Sequence, residues 1–165
     1  MRLFQTLALC VFTLFSFSSL AAGGGSLKPV PEIKGPSADR FPDDPASHKV
    51  VYMFNKADAD YQTSILNSIQ AMIRQYGGDV EIAVVVIGPG IHVLAKEPKR
   101  EVDKLIYDRV ESFAKDYNVR WIACGSTMNT IGWSGDDMRP FAEYVEVGAS
   151  ALMELQAAGF AYIAW

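Results

Sequence analysis

Thiols and imidazoles are scarce in this chain: 165 residues hold two cysteines, Cys10 and Cys124, and two histidines, His48 and His92. Cys10 lies in a segment expected to be removed, so Cys124 would stand alone and no internal disulfide could form. Dithiol exchange of the thioredoxin kind needs a second nearby thiol and is excluded with it. A Cys-His-Asp protease set cannot be assembled either. His48 closes a proline-rich stretch, and His92 sits in the apolar run Ile91 to Leu94, where it reads as a rim or core residue rather than a base. A soft-metal site built on Cys124 and Met128 lacks the further ligands that Cu(I) needs, so neither metal nor cofactor is expected. Basic residues are also outnumbered, 15 Lys and Arg against 19 Asp and Glu, with no basic patch. Nucleic acid is therefore not an expected partner.

Charge is missing altogether from Leu3 to Leu20, an apolar run that follows Met1-Arg2 and precedes Ala21-Ala-Gly-Gly-Gly-Ser26. This is the outline of a secretory signal peptide. Ser19-Leu20-Ala21 places small residues at the recognition positions, so cleavage is expected after Ala21, with Ala22 or Gly23 as alternatives. The competing reading is an uncleaved anchor, since the run approaches the roughly 20 residues of a spanning helix. Leu9 is too large for the position before a lipidated cysteine. Cleavage would remove Arg2 and no acidic residue, taking the net charge from −4 to −5. The mature protein is expected to be periplasmic or secreted, with no stable membrane insertion.

Residues 22–48 form a Pro-rich arm or linker holding five of the eight prolines, with no helical or alternating pattern. The domain is expected over residues 49–165. Lys49 to Asn55 reads as a buried strand. Asp58 and Asp60 are candidate caps for a helix whose apolar face, Tyr61, Ile65, Ile69, Met72 and Tyr76, stops at Gly77-Gly78. Val80 to Ile87 is the clearest buried strand and breaks at Gly88-Pro89-Gly90. A second helix is expected from Pro98, burying Val102, Leu105, Ile106, Val110, Phe113 and Tyr117. Val119 to Ala123, Tyr144 to Val147 and Phe160 to Ile163 are the remaining strands, with a short helical piece near Met128 to Trp133 and a helix from Ala149 to Ala158. Strands alternating with helices imply right-handed crossovers. The expected fold is a three-layer α/β/α sandwich on a mostly parallel sheet of about five strands.

In such sheets functional groups collect at the carboxyl ends of the strands, where Asn55, Gly88, Gly90 and Cys124 fall. Cys124 ends a strand, and Gly125-Ser126-Thr127 can open a helix whose free N–H groups would favour the thiolate. A thiolate suits a nucleophile that takes up sulfane sulfur, because the resulting persulfide keeps an anionic sulfur for amides to stabilise. The alternative is that Cys124 is a small hydrophobe filling space. Gly88-Pro89-Gly90 lacks the spacing of a nucleotide loop and reads as a tight turn, or as backbone lining a pocket beside Cys124. Asp136 and Asp137 read as solvated turn residues.

From about Lys49 onward the chain resembles the DsrE/DsrF-like family of small sulfur-relay proteins, in particular its exported members. The resemblance rests on the strand-Asn-acidic entry at Tyr52 to Asp60, the run VVVIGPGIHVLAK, and Cys124 followed by Thr127-Met128. It continues through Ile131, Asp137, Pro140 and Val145 to LMELQAAGFAYI. The resemblance implies trimeric or hexameric assembly and a persulfide-bearing cysteine at Cys124. The strand-end reading adds Asn55, Gly88 and Gly90 as pocket walls and the amides of Gly125, Ser126 and Thr127 as anion stabilisers. Ser126 departs from the Asn that many exported relatives carry. A sulfur donor or acceptor protein is implied but not identified. The rival function is a non-catalytic oligomeric binding or scaffold module. Trp133 and the terminal Phe160 to Trp165 are expected to supply aromatic surface for subunit contacts.

Overall fold

The structure is a computed structural model that describes residues 44–165; the expected leader and the arm as far as residue 43 lie outside the described residues. Five strands, β1 (His48–Phe54), β2 (Val80–Val86), β3 (Arg120–Cys124), β4 (Ala142–Val145) and β5 (Ala161–Ile163), form one sheet in the order β4-β3-β2-β1-β5. All four pairings are parallel. β1 begins one residue earlier than expected. His48 belongs to it rather than to the arm, its ring 4.2 Å from that of Tyr76.

Period-two alternation sorts the strand residues between two cores. Val50, Tyr52, Phe54, Ile82, Val84, Val86, Trp121 and Ala123 point to one face, and Val51, Ala83, Val85 and Ile122 to the other. Both sets are buried, which is why these strands read as continuous apolar runs. Helices α1 (Ala59–Tyr76), α2 (Lys104–Tyr117) and α3 (Gly125–Thr130) supply the first core, through residues such as Ile65, Val110 and Met128. The second core is smaller, closed by α4 (Gly148–Ala157) through Ala151, with Leu152 and Leu155 packed against it. The three-layer expectation holds.

Local chemistry sets the boundaries. Asp58 caps α1, its carboxylate accepting the Tyr61 N–H at 2.8 Å, and Gly77 ends the helix at φ 57°. The second helix starts six residues later than Pro98 suggested. Asp103 accepts the N–H groups of Leu105 and Ile106 at 2.7 and 3.3 Å, and this cap decides the start. The later start leaves a narrower stripe, Ile106, Val110 and Phe113, so Leu105 and Tyr117, expected inside, are 67% and 52% exposed. β4 lies two residues upstream of its expected place, because the Glu146 carbonyl is taken by the Ser126 N–H and hydroxyl, each at 2.9 Å, instead of a strand neighbour.

Arg139, unremarked in the sequence, is 4% exposed. It donates to the carbonyls of Val93 and Tyr107 and to Glu111, at 3.1, 2.9 and 2.6 Å, with its guanidinium over the Tyr107 and Phe141 rings. It ties α2 to the segment before β4. Among the described residues no helix is long and apolar enough to cross a membrane.

Candidate functional site around Cys124

Cys124 is the last residue of β3 and the N-cap of α3, as its position before Gly125-Ser126-Thr127 suggested. The side chain is 4% exposed. Burial is the largest single influence on the thiol and pushes its pKa up. Opposing it are the Thr127 N–H, the Gly148 N–H, the Thr127 hydroxyl and, least, the Ser126 N–H, and together they hold the thiol below its ordinary value. The Ser126 amide contributes little because it is committed to the Glu146 carbonyl at 2.9 Å. The Gly148 N–H lies 3.3 Å from Cys124 Sγ. A thiol in an apolar recess would titrate high; this one has donors from two chain segments aimed at it.

Thr127 joins the cysteine to its surroundings. Its hydroxyl faces Cys124 and accepts the Gly88 N–H at 3.1 Å. Gly88 sits at φ 55°, in the left-handed region that favours glycine, and this turns its N–H toward α3. The turn after β2 and the helix after β3 are thereby linked across adjacent strands, as the carboxyl-end placement anticipated.

The other expected residues divide. Gly125 is where α3 leaves the sheet, and a Cβ there would lie 2.9 Å from the Val145 carbonyl oxygen, so its smallness serves the crossing with β4. Gly90 is buried, not a pocket wall. A Cβ there would meet the Phe54 carbonyl oxygen at 2.5 Å, so the residue permits close packing of the Gly88–Leu94 3-10 helix on β1. The Ser126 side chain turns away to Glu146. Asn55 is occupied elsewhere: its carboxamide oxygen lies 2.9 Å from the Tyr61 hydroxyl, which also takes the Asn55 N–H at 3.3 Å. Only its backbone carbonyl approaches the Gly88 turn, 3.9 Å from where a Gly88 Cβ would stand.

A cavity of about 320 Å³ opens on the far side of Thr127. Gly88, Thr127, Thr130, His92 and Arg100 supply its polar groups, and Pro89, Ile91 and Ile131 its apolar wall. Cys124 does not line it; the thiol sits behind Thr127. His92 is 5% exposed, its ring edge-on to Trp133 at 5.1 Å. Burial, then Arg100 and Lys99, depress its pKa and keep the imidazole neutral near neutral pH. Trp133 is itself 6% exposed and packs in its own subunit's core, against the expectation that it would offer contact surface.

Gly148 escaped the sequence reading. A Cβ there would stand 2.9 Å from Ile87 Cγ1 and 3.0 Å from Cys124 Cβ, so only glycine lets α4 begin against the cysteine with its N–H on the sulfur. The run Gly148-Ala-Ser-Ala151 at a strand-to-helix junction was the available signal. Asp137 is also more than a solvated turn residue: it accepts from the Ser134 N–H at 2.7 Å in a capping box, and its backbone carbonyl takes the Lys96 N–H at 2.8 Å.

The fold has solved neighbours. The chain is similar to a protein of unknown function, MTH1491, from Methanobacterium thermoautotrophicum, at TM-score 0.63 and 24% identity, over 72% of this chain and 100% of that one. It is also similar to the ychN protein from E. coli, at TM-score 0.60 and 14% identity, over 72% of this chain and 99% of that one. These likenesses concern the fold. None of the curated proteins matches the chain. Residues 48–165, which carry the sheet, Cys124 and the donors around it, match the DsrE/DsrF-like family, and the chain belongs to that family.

Proposed function

We propose that this protein is an exported sulfur carrier, or sulfurtransferase-like protein, that holds sulfane sulfur as a persulfide on Cys124. The observation that carries the reading is the donor set on Sγ, from Thr127 and Gly148, which overcomes burial and favours the thiolate. A thiolate attacks the sulfane sulfur of a donor, a bond forms between Sγ and that sulfur, and the donor's bond to it breaks with the electron pair leaving on the donor. The persulfide keeps one negative charge, which the same donors stabilise. Attack by an acceptor nucleophile on the outer sulfur returns the Cys124 thiolate.

Export is supported by the uncharged run Leu3 to Leu20 and the small residues after it. Homo-oligomeric assembly, as a trimer or hexamer, is supported by the aromatic and aliphatic surface at Tyr144, Val147, Met153, Tyr162 and Trp165, exposed by between 38% and 70%. The rival reading, a binding or scaffold module with Cys124 as packing, draws on one observation, the 4% exposure of the thiol. Intact mass of the mature protein after polysulfide treatment separates the two. The carrier gains about 32 or 64 Da, one or two sulfurs, reversibly by reductant and not in Cys124→Ser. An unmodified mass under conditions that load a known persulfide carrier would leave the packing reading.

A further inference from the structure

The cavity beyond Thr127 has features that the persulfide reading leaves unused. His92 is nine-tenths buried, and its Nδ1 is sealed off with no partner. Nε2 is not sealed and bonds to no other described group, and His92 lines the cavity. Arg100, also on the wall, makes no ion pair or hydrogen bond among the described residues. Lys99 is differently placed, its Nζ on the Ile131 carbonyl at 2.6 Å and over the Trp133 ring. The charged groups acting on His92 are Arg100 and Lys99, both cations, so the recess is positive in a chain of net charge −4. A small positive recess with the uncommitted Arg100 guanidinium, the His92 imidazole, which donates from Nε2 in its Nε2–H tautomer, and an apolar flank suits a compact oxyanion. Thr127, one of its lining residues, hydrogen-bonds through its hydroxyl to Cys124.

We propose that this cavity is the donor site: it takes a low-molecular-weight anion of the thiosulfate and thiosulfonate class, its oxygens on Arg100 and His92 Nε2 and its terminal sulfur toward Thr127 and Cys124. The proposal rests on the carrier reading above. Thr127 stands between the cavity and Sγ, so its side chain must rotate aside before the Cys124 thiolate attacks the terminal sulfur and the Sγ–S bond forms. The S–S bond of the donor breaks, and its electron pair departs as sulfite or an organic sulfinate. Cys124 is left as a persulfide anion, and no external oxidant or reductant is consumed. Arg100 and His92 hold the oxygens on which the leaving charge collects.

Binding is measured by calorimetry on full-length Cys124→Ser, which cannot react, with sulfite and benzenesulfinate as probes. Loading is followed by intact mass on the Cys124 protein with thiosulfate and benzenethiosulfonate. Arg100→Gln, a surface change, is expected to weaken probe binding and slow loading by about tenfold or more. His92→Gln, which keeps a donor, should retain more of both than His92→Phe. Alkylation of Cys124 by neutral iodoacetamide should not change in Arg100→Gln. Tighter binding of benzenesulfinate than of sulfite would assign the apolar wall to an organic donor, and the reverse would assign the site to thiosulfate itself. If polysulfide loads Cys124 while Arg100→Gln alters neither probe binding nor loading, the donor site is wrong and the carrier stands. If the anions bind through Arg100 but no donor, polysulfide included, loads Cys124, the carrier reading falls and takes the donor assignment with it.

Discussion

Thr127→Val is the substitution that interrogates the thiol most directly. It keeps the shape of the side chain and removes only the hydroxyl, which faces Cys124 Sγ and accepts the Gly88 N–H at 3.1 Å. A hydrogen bond to a charged group is worth about 1.5–3 kcal/mol, so losing this one lowers the thiolate-to-thiol ratio at a fixed pH by roughly 10- to 100-fold. A more basic thiolate is also a better nucleophile, with a Brønsted slope of about 0.4–0.5, which returns roughly threefold to eightfold of that loss. The net expectation is an alkylation rate about 3- to 10-fold lower at neutral pH, with the midpoint of the rate profile moved upward.

The assay is iodoacetamide modification followed by mass across pH, on wild type, Thr127→Val and Thr127→Ser. Access through a 4% exposed surface lowers every rate alike and leaves the midpoints comparable. Thr127→Ser keeps the hydroxyl and should track wild type. Thr127→Val also orphans the half-buried Gly88 N–H, so a stability loss of about 1–3 kcal/mol in urea is expected alongside. An unmoved midpoint in a folded Thr127→Val protein would refute the assignment of the hydroxyl as a thiolate donor. Equal displacement in Thr127→Ser would point to packing instead.

Gly148→Ala should lose about 1–3 kcal/mol of stability in urea, because the added methyl stands 2.9 Å from Ile87 Cγ1 and 3.0 Å from Cys124 Cβ, and should slow alkylation by pushing the N–H off the sulfur. Arg139→Met, read by the same denaturation, should cost about 2–4 kcal/mol: it orphans the Val93 and Tyr107 carbonyls, while Glu111, 40% exposed, can turn to water. The pH profile of stability should show His92. Its folded pKa is depressed, by burial first and then by Arg100 and Lys99, so its contribution is complete above the ordinary value of 6.5 and is lost as pH falls through the folded value. His92→Gln should flatten that acid limb. Light scattering of the mature protein should return a trimer or hexamer mass, and amino-terminal sequencing of the exported form a start near Ala22; a monomer, or Met1 retained in a membrane fraction, would contradict the respective proposals.

The order of elements was legible because buried parallel strands and amphipathic helices leave periodic traces, and the run Val80 to Val86 could be little else. The start of α2 was not, because proline and aspartate both mark helix openings and the sequence does not say which governs; the two N–H groups on Asp103 decided it. The same difference explains the site. Strand ends and turns announce themselves, and the structure does bring Cys124, Thr127 and Gly88 together. Gly148 was missed because its role is defined by what is absent, a Cβ that would touch Cys124 from another crossover. Arg139 was missed for a related reason: its partners Val93, Tyr107 and Glu111 are 28 to 46 residues away, and two of the three are backbone carbonyls, which every residue has and no sequence displays. Asn55 and Gly90 show the converse. Position at a strand end was enough to nominate them, yet their atoms were already committed, to Tyr61 and to the Phe54 carbonyl. A strand end thus marks a neighbourhood in this fold; which of its polar groups are already bonded, as at Cys124 and Asn55, is settled only by the packing of other segments.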